Sequence, residues 1–179
     1  HERLVGSEMC IRDRLRPVEG AGREYEYRRL SVLGSLAGGR LNAVCVPAEA
    51  LLQYTVPRDE FLKNTLTLKP GMVYNREGLV ARLFAAGYVR RSQVDGPGQF
   101  SVRGDIVDIY LAYMSELAIR VEFFGDEIDR ITEFNPVTGT RQNVVKHVAI
   151  FPASHYIVSA EKKAAAIEKI RAECDAQVL

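Results

Sequence analysis

The spacing of hydrophobic and polar positions changes several times along this chain, and each change predicts an element. Apolar residues recur at helical spacing in residues 23–36, and "LNAVCV" follows as an apolar run of strand length. "AEALLQY" after Pro47 predicts a short helix, because the first helical turn accepts proline, and Pro57 ends it. A helix, strand and helix in this order are typical of an α/β layer. Residues 23–57 are therefore predicted to be the end of such a layer.

The pattern of residues 58–140 predicts a different, α+β domain. "NTLTLKPGMVY" alternates as a half-buried strand does, and Asn75 is placed to cap a helix that stops at Gly87. Four strands are predicted next, at residues 88–94, 99–111, 118–124 and 128–134. A tight turn at Gly125 joins the last two of them. Hairpin connections of this kind predict an antiparallel sheet.

The two ends of the chain complete the predicted organisation. "NPVTG" at residues 135–139 is a turn signal, and the pattern of residues 141–179 predicts a strand and then a helix capped by Ser159. We interpret this pair as returning to the first layer. The predicted fold class is therefore α/β plus α+β: a partial α/β layer interrupted by the inserted domain 58–140. Residues 1–22 show neither the helical nor the strand spacing of apolar residues and are predicted to be a non-native or disordered end.

Composition limits the possible functions without choosing one. The chain has 179 residues, 47% of them hydrophobic, and a formal net charge of +1, so its overall charge does not indicate a general nucleic-acid binder. Its three cysteines are far apart and suggest neither a disulfide framework nor a zinc site, which favours a reducing cytoplasm. There is no apolar run of membrane-span length and no P-loop motif. We expect no catalytic site, cofactor, metal or membrane partner for these residues.

Several carboxylates between residues 105 and 129 suggest acid–base chemistry as one interpretation. Two carboxylates can share such work, but the sequence offers no nucleophile and no shaped pocket beside them. Most are predicted on turns or on outward strand positions, where a solvated charge is the usual outcome. The residues are Asp105, Asp108, Glu122, Asp126, Glu127 and Asp129.

The strand "AIRVEFF", residues 118–124, carries the most informative pattern. Alternation sends Arg120, Glu122 and Phe124 to the face opposite the core. A phenylalanine beside an arginine on an outward face is typical of protein-interaction surfaces, and Arg103 could share that face. Alternatively, Phe124 packs under a loop and the charges form an ordinary surface pair. Alternation alone leaves both interpretations open.

Four ordered blocks of the sequence closely resemble a known family. They are "EALLQYTVP", the stretch from "TLTLKPGMVY" to "SVRGDIVDIY", "IRVEFFGDEIDRITEFNPVTG" and "IFPASHY". Together they resemble the N-terminal module of the bacterial transcription-repair coupling factor, Mfd, which is related to the excision repair protein UvrB. Asp105 stands where the coupling factor usually has a second glycine, and Leu111 replaces an expected proline. UvrB is therefore the alternative.

The resemblance implies a docking function. In this family the inserted domain binds UvrA, the damage-recognition ATPase, and the matching residues here are Arg103, Arg120 and Phe124, with Glu122 as a weaker candidate. The resemblance also implies a parent protein driven by ATP and magnesium, which reaches RNA polymerase and double-stranded DNA through other domains. The expectation is a UvrA-binding module without catalysis of its own. A DNA-binding accessory domain is the remaining alternative.

Overall fold

The computed structural model describes residues 23–39, 41–52, 54–114, 116–157 and 160–177, without the side chains of residues 24, 49, 160–162 and 177. The predicted N-terminal end, residues 1–22, and the predicted cap Ser159 lie outside the described residues. The helices are α1 (Glu24–Ala37), α2 (Ala48–Leu51), α3 (Arg58–Lys63), α4 (Arg76–Ala85) and α5 (Ala160–Gln177). The strands are β1 (Leu66–Leu68), β2 (Val89–Arg90), β3 (Gln99–Arg103), β4 (Ile106–Tyr110), β5 (Ala118–Phe124), β6 (Glu127–Phe134), β7 (Arg141–Val144) and β8 (Val148–Ile150).

Most of the strands form one six-stranded sheet in the order β2-β3-β4-β5-β6-β7. Its pairs are antiparallel, except that β2 runs parallel to β3. β1 and β8 form a separate antiparallel pair. The α+β prediction is therefore confirmed. β8, which we had assigned to the returning part of the first layer, pairs with β1 instead, and β7 continues the large sheet beyond residue 140.

The hydrophobic core lies on one face of the large sheet. Phe100, Ile109 and Val121 point to this face and are buried beneath α4, which contributes Leu79 and Leu83. The β1–β8 pair covers the same face with further buried side chains, Leu68, Val148 and Ile150. We call this side the core face, and the opposite side the outer face.

Three sequence predictions differ from the structure. The predicted strand 99–111 is two strands, because Gly104 adopts a left-handed φ of 57° and the chain turns back there. The predicted strand 88–94 shortens to the two residues of β2. The apolar run at residues 41–46 forms no named strand and holds only a one-residue bridge at Cys45. An isolated extended run is not stable without neighbouring strands.

A β-bulge adjusts β6 to the core. The pairing of β5 with β6 shifts between Glu122 and Phe123. Ile128 and Ile131 are three residues apart, yet both are fully buried on the core face. Strict alternation would send them to opposite faces, so the extra residue of the bulge is what keeps both inside.

The last helix does not pack its described side chains on the sheet. The side chains of α5 that the structure describes are exposed. Within the described residues, no helix has the length and apolar character needed to cross a membrane.

Candidate protein-interaction surface

The strand register places the predicted site residues on the outer face. Asp108 lies opposite both Ser101 and Arg120, and Arg120 lies opposite Thr132. Directly opposed residues in an antiparallel sheet project to the same side. This gives one row across four strands.

The next row runs from Arg103 through Ile106 and Glu122 to Arg130. It lies two residues along each strand from the row of Asp108 and Arg120, so both rows belong to the same face. The candidate arginines and Glu122 therefore share one face, Arg103 on β3 and the other two on β5, with β4 between the two strands.

A buried carboxylate joins two of the candidate arginines. Arg103 donates from Nη2 to Oδ2 of Asp108 over 2.7 Å. Arg120 donates from Nε to Oδ1 over 2.7 Å and from Nη2 to Oδ2 over 2.9 Å. The hydrogen bond to Asp108 raises the pKa of Arg120 above its usual value. Asp108 is only 1% exposed, which such a charge tolerates when it is paired and hydrogen-bonded.

The remaining charges of this face favour an acidic partner. Glu122 is paired with Arg141 of β7, whereas Arg130 has no hydrogen-bond or ion-pair partner among the described residues. Four arginines, at positions 103, 120, 130 and 141, thus accompany three carboxylates, those of Asp108, Glu122 and Glu127. The surplus is positive, and complementary charge on a partner would match it.

Phe124 lies at the end of the outer face and is 84% exposed. It pairs with Glu127, and Glu127 forms a bridge with Val73, so the exposed Val73 extends the same row. The backbone N–H of Phe123 donates to the carbonyl of Asp105 over 2.8 Å, which holds the β3–β4 turn against this end of β5. An apolar end therefore adjoins the arginine row.

The other end of the outer face is covered. Val94 packs against Tyr110, Ala118 and Phe134 in a small buried cluster. The guanidinium of Arg120 lies 4.5 Å from the ring centroid of Phe134 and connects this cluster to the charged rows. A partner would therefore find the outer face open at Arg103 and Phe124, whereas the side chain of Glu122 is mostly covered by its pairing with Arg141.

Helix α4 supports the turn beside the candidate residues. Asn75 accepts a hydrogen bond from the backbone N–H of Gly78 over 2.6 Å, so the predicted cap is confirmed. Arg76, the first residue of α4, donates to the carbonyl of Gly104 over 2.6 Å and lies 3.6 Å from Asp105. The helix start and the β3–β4 turn are thereby joined.

Comparison with protein families assigns this domain. A family model described as the UvrB interaction domain matches residues 66–156, half of the chain, and this range includes every outer-face residue discussed above. The chain belongs to the UvrB interaction domain family.

Curated relatives agree with this assignment. The chain is 45% identical over 117 residues to UvrABC system protein B of Caldicellulosiruptor saccharolyticus, which covers 65% of this chain and 18% of the relative. It is 46% identical over 110 residues to the protein of that name from Caldanaerobacter subterraneus, covering 62% and 17%. It is 38% identical over 155 residues to that of Agathobacter rectalis, covering 87% and 23%. The chain thus spans about a fifth of the length of these curated relatives.

These matches correct one prediction. The resemblance to the coupling factor Mfd, which we had placed ahead of UvrB, is wrong, because the relatives carry the name UvrABC system protein B. The shared "RG" and "EFF" blocks did not separate the two families, and Asp105 and Leu111 already departed from the coupling factor. The expectation of RNA polymerase and double-stranded DNA as partners rested on that resemblance and is left without support.

Within this UvrB interaction domain, the predictions made from the sequence did not include every residue of the candidate surface. We had treated Asp108 as one of several solvated carboxylates, yet it is buried between two arginines. Alternation in "DIVDIY" would have put it on the face of Arg103 and Arg120, which was the available signal. Arg141 and Val73 were also missed, because their places depend on partners far along the chain: Arg141 forms an ion pair with Glu122, and Val73 forms a bridge with Glu127.

Proposed function

We propose that this chain binds UvrA through the open end of its outer face and so serves nucleotide excision repair as the corresponding region of UvrB does. The observation that carries the proposal is Phe124, a large apolar side chain exposed on the same sheet face as Arg103 in a UvrB interaction domain. Aromatic and arginine side chains supply most of the binding energy at protein interfaces. Arg103, Arg120, Phe124 and Glu122 are the proposed contact residues.

The proposal gives the chain a binding role only. It assigns no catalytic step, metal or cofactor to these residues, and it includes a bacterial cytoplasmic setting, which the bacterial origin of the relatives supports. A DNA-binding role is less well supported, because Asp108, Glu122 and Glu127 interrupt the arginines, whereas a phosphate backbone favours an uninterrupted basic surface.

Titration calorimetry with a purified bacterial UvrA tests the proposal. The 179-residue chain should bind, and Arg103→Glu should remove most of the heat of binding, because it reverses a charge at the open end of the face. Arg90→Glu is the matched control, since Arg90 is exposed, lies opposite Phe100 and so on the side of the core face, and its side chain has no partner among the described residues.

Two outcomes would contradict the proposal. A folded wild-type chain that gives no binding would exclude UvrA docking by these residues. Equal losses for the two charge reversals would mean that the outer face has no special part in binding.

A further inference from the structure

The two arginines that share Asp108 differ in what they can offer a partner. The side chain of Arg120 is 14% exposed, and its Nε and Nη2 both donate to Asp108. Its guanidinium also packs over the ring of Phe134. Two of the three guanidinium nitrogens of Arg120 are thus directed to Asp108.

Arg103 is oriented differently. Its side chain is 56% exposed, and only Nη2 reaches Asp108. Nε and Nη1 of Arg103 have no hydrogen-bond partner among the described residues. A guanidinium is always charged and its donors form a rigid fork that suits a carboxylate. Arg103 therefore presents unused donors to the solvent from a fixed position.

The charge balance of this group gives the direction of the effect. One buried carboxylate neutralises one of the two guanidinium charges, and the second charge is left over. Because Arg120 is the more enclosed of the two, the surplus charge is accessible at Arg103. A side-chain carboxylate of the partner is the group that complements it.

We infer that Asp108 is a positioning residue of the docking face: it fixes Arg103 so that the free Nε and Nη1 donors of Arg103 receive a carboxylate of the partner. Arg120 contributes by holding Asp108 in place and by packing on Phe134, and it does not make the main contact. The inference rests on the proposed function, and it assigns different tasks to the two arginines that the sequence treated as equivalent contacts.

A double-mutant cycle measures this positioning directly. Binding to UvrA is titrated at low and high ionic strength for the 179-residue wild type, Arg103→Gln, Asp108→Asn and the double variant. Arg103→Gln should weaken binding about tenfold and reduce its salt dependence, because a charge pair with the partner is lost. In the Asp108→Asn background the same change should have an effect of about twofold or less, since Arg103 is no longer held.

Thermal unfolding, measured without UvrA, distinguishes the supporting role of Arg120 from the contact role of Arg103. Arg120→Lys should lower the unfolding temperature, because a single ammonium cannot replace two hydrogen bonds to Asp108 and the packing on Phe134. Arg103→Gln should lower it less, because it removes one hydrogen bond to Asp108 and no packing on Phe134, and the surface control Arg90→Gln should unfold close to the wild-type temperature. If Asp108→Asn does not fold, Arg120→Lys replaces it in the cycle, because it disturbs the position of Asp108.

The outcomes distinguish this inference from the proposed function. Additive losses of Arg103→Gln and Asp108→Asn, or an Arg103→Gln variant that binds as wild type does, would overturn the inference while UvrA binding stands. Equal unfolding temperatures for Arg120→Lys and Arg103→Gln would overturn the assignment of Arg120 as the residue that holds Asp108 in place. A folded wild type that does not bind UvrA would overturn the proposed function and this inference with it.

Discussion

Two adjacent phenylalanines of β5 occupy opposite environments. Phe123 is buried in the core, where it belongs to the large hydrophobic cluster beneath α4, and Phe124 is exposed on the outer face. Strand alternation causes the difference, because successive side chains project to opposite sides of a sheet. The pair therefore separates a core position from the proposed binding position within one short segment.

Alanine substitutions at these two positions should give opposite results. Phe123→Ala should lower the free energy of unfolding by about 3 kcal/mol or more, because it leaves a cavity in the core. Phe124→Ala should change it by less than about 0.5 kcal/mol, since an exposed ring contributes little to folding. Yet Phe124→Ala should weaken UvrA binding by about 2 kcal/mol or more, as for an interface anchor. Urea unfolding and calorimetry measure the two quantities, and wild-type affinity for Phe124→Ala would remove it from the interface.

At the scale of elements, α4 connects the core to the β3–β4 turn. Its buried Leu79 and Leu83 pack on the core face, while Arg76 at its first turn reaches the carbonyl of Gly104. Asn75 caps the same end. A change at the cap should therefore affect both the stability of the helix and the support of the turn next to Arg103.

Asn75→Ala should lower the free energy of unfolding by about 1 kcal/mol, because the N–H of Gly78 loses its side-chain acceptor. Asn75→Asp is the matched control: it keeps an acceptor oxygen and places a negative charge at the helix N-terminus, so its stability should equal or exceed that of the wild type. Chemical unfolding of the three proteins measures the difference. A loss for Asn75→Asp as large as that for Asn75→Ala would contradict the capping role.

Elements whose signals are local could be predicted from the sequence. β5 was predicted with its observed bounds, residues 118–124, because its alternation is regular and Gly125 ends it with a left-handed φ of 62°. The cap of α4 by Asn75 was predicted for the same reason. Local chemistry alone specifies both features.

Features that depend on a neighbouring strand could not be predicted. The run "FSVRGDIVDIY" is apolar on both sides of Gly104, so a single strand and a hairpin give nearly the same pattern. The bulge between Ile128 and Ile131 becomes visible only against β5. The burial of Asp108 likewise depends on Arg103 and Arg120, which come from strands on either side of it.

At the scale of the whole molecule, the large sheet has one closed and one partly open face. α4 and the β1–β8 pair cover the core face, and Val94 covers only one end of the outer face. Arg103 and Phe124 are exposed at the other, open end. Exposed aromatic residues also occur outside the outer face: Tyr54 lies between α2 and α3, and Tyr156 follows β8. What distinguishes Phe124 from these tyrosines is the arginines on its face, and a map of the bound complex tests that choice.

Hydroxyl-radical footprinting of the 179-residue chain, with and without UvrA, is the most direct measurement of the central claim. Free in solution, Phe124 should react strongly, as should Tyr156, which is 88% exposed. Saturating UvrA should protect Phe124, because an interface anchor is buried on binding, while Tyr54 and Tyr156 should react as before. Protection of the two tyrosines with undiminished labelling of Phe124 would place the interface elsewhere and contradict docking through the outer face.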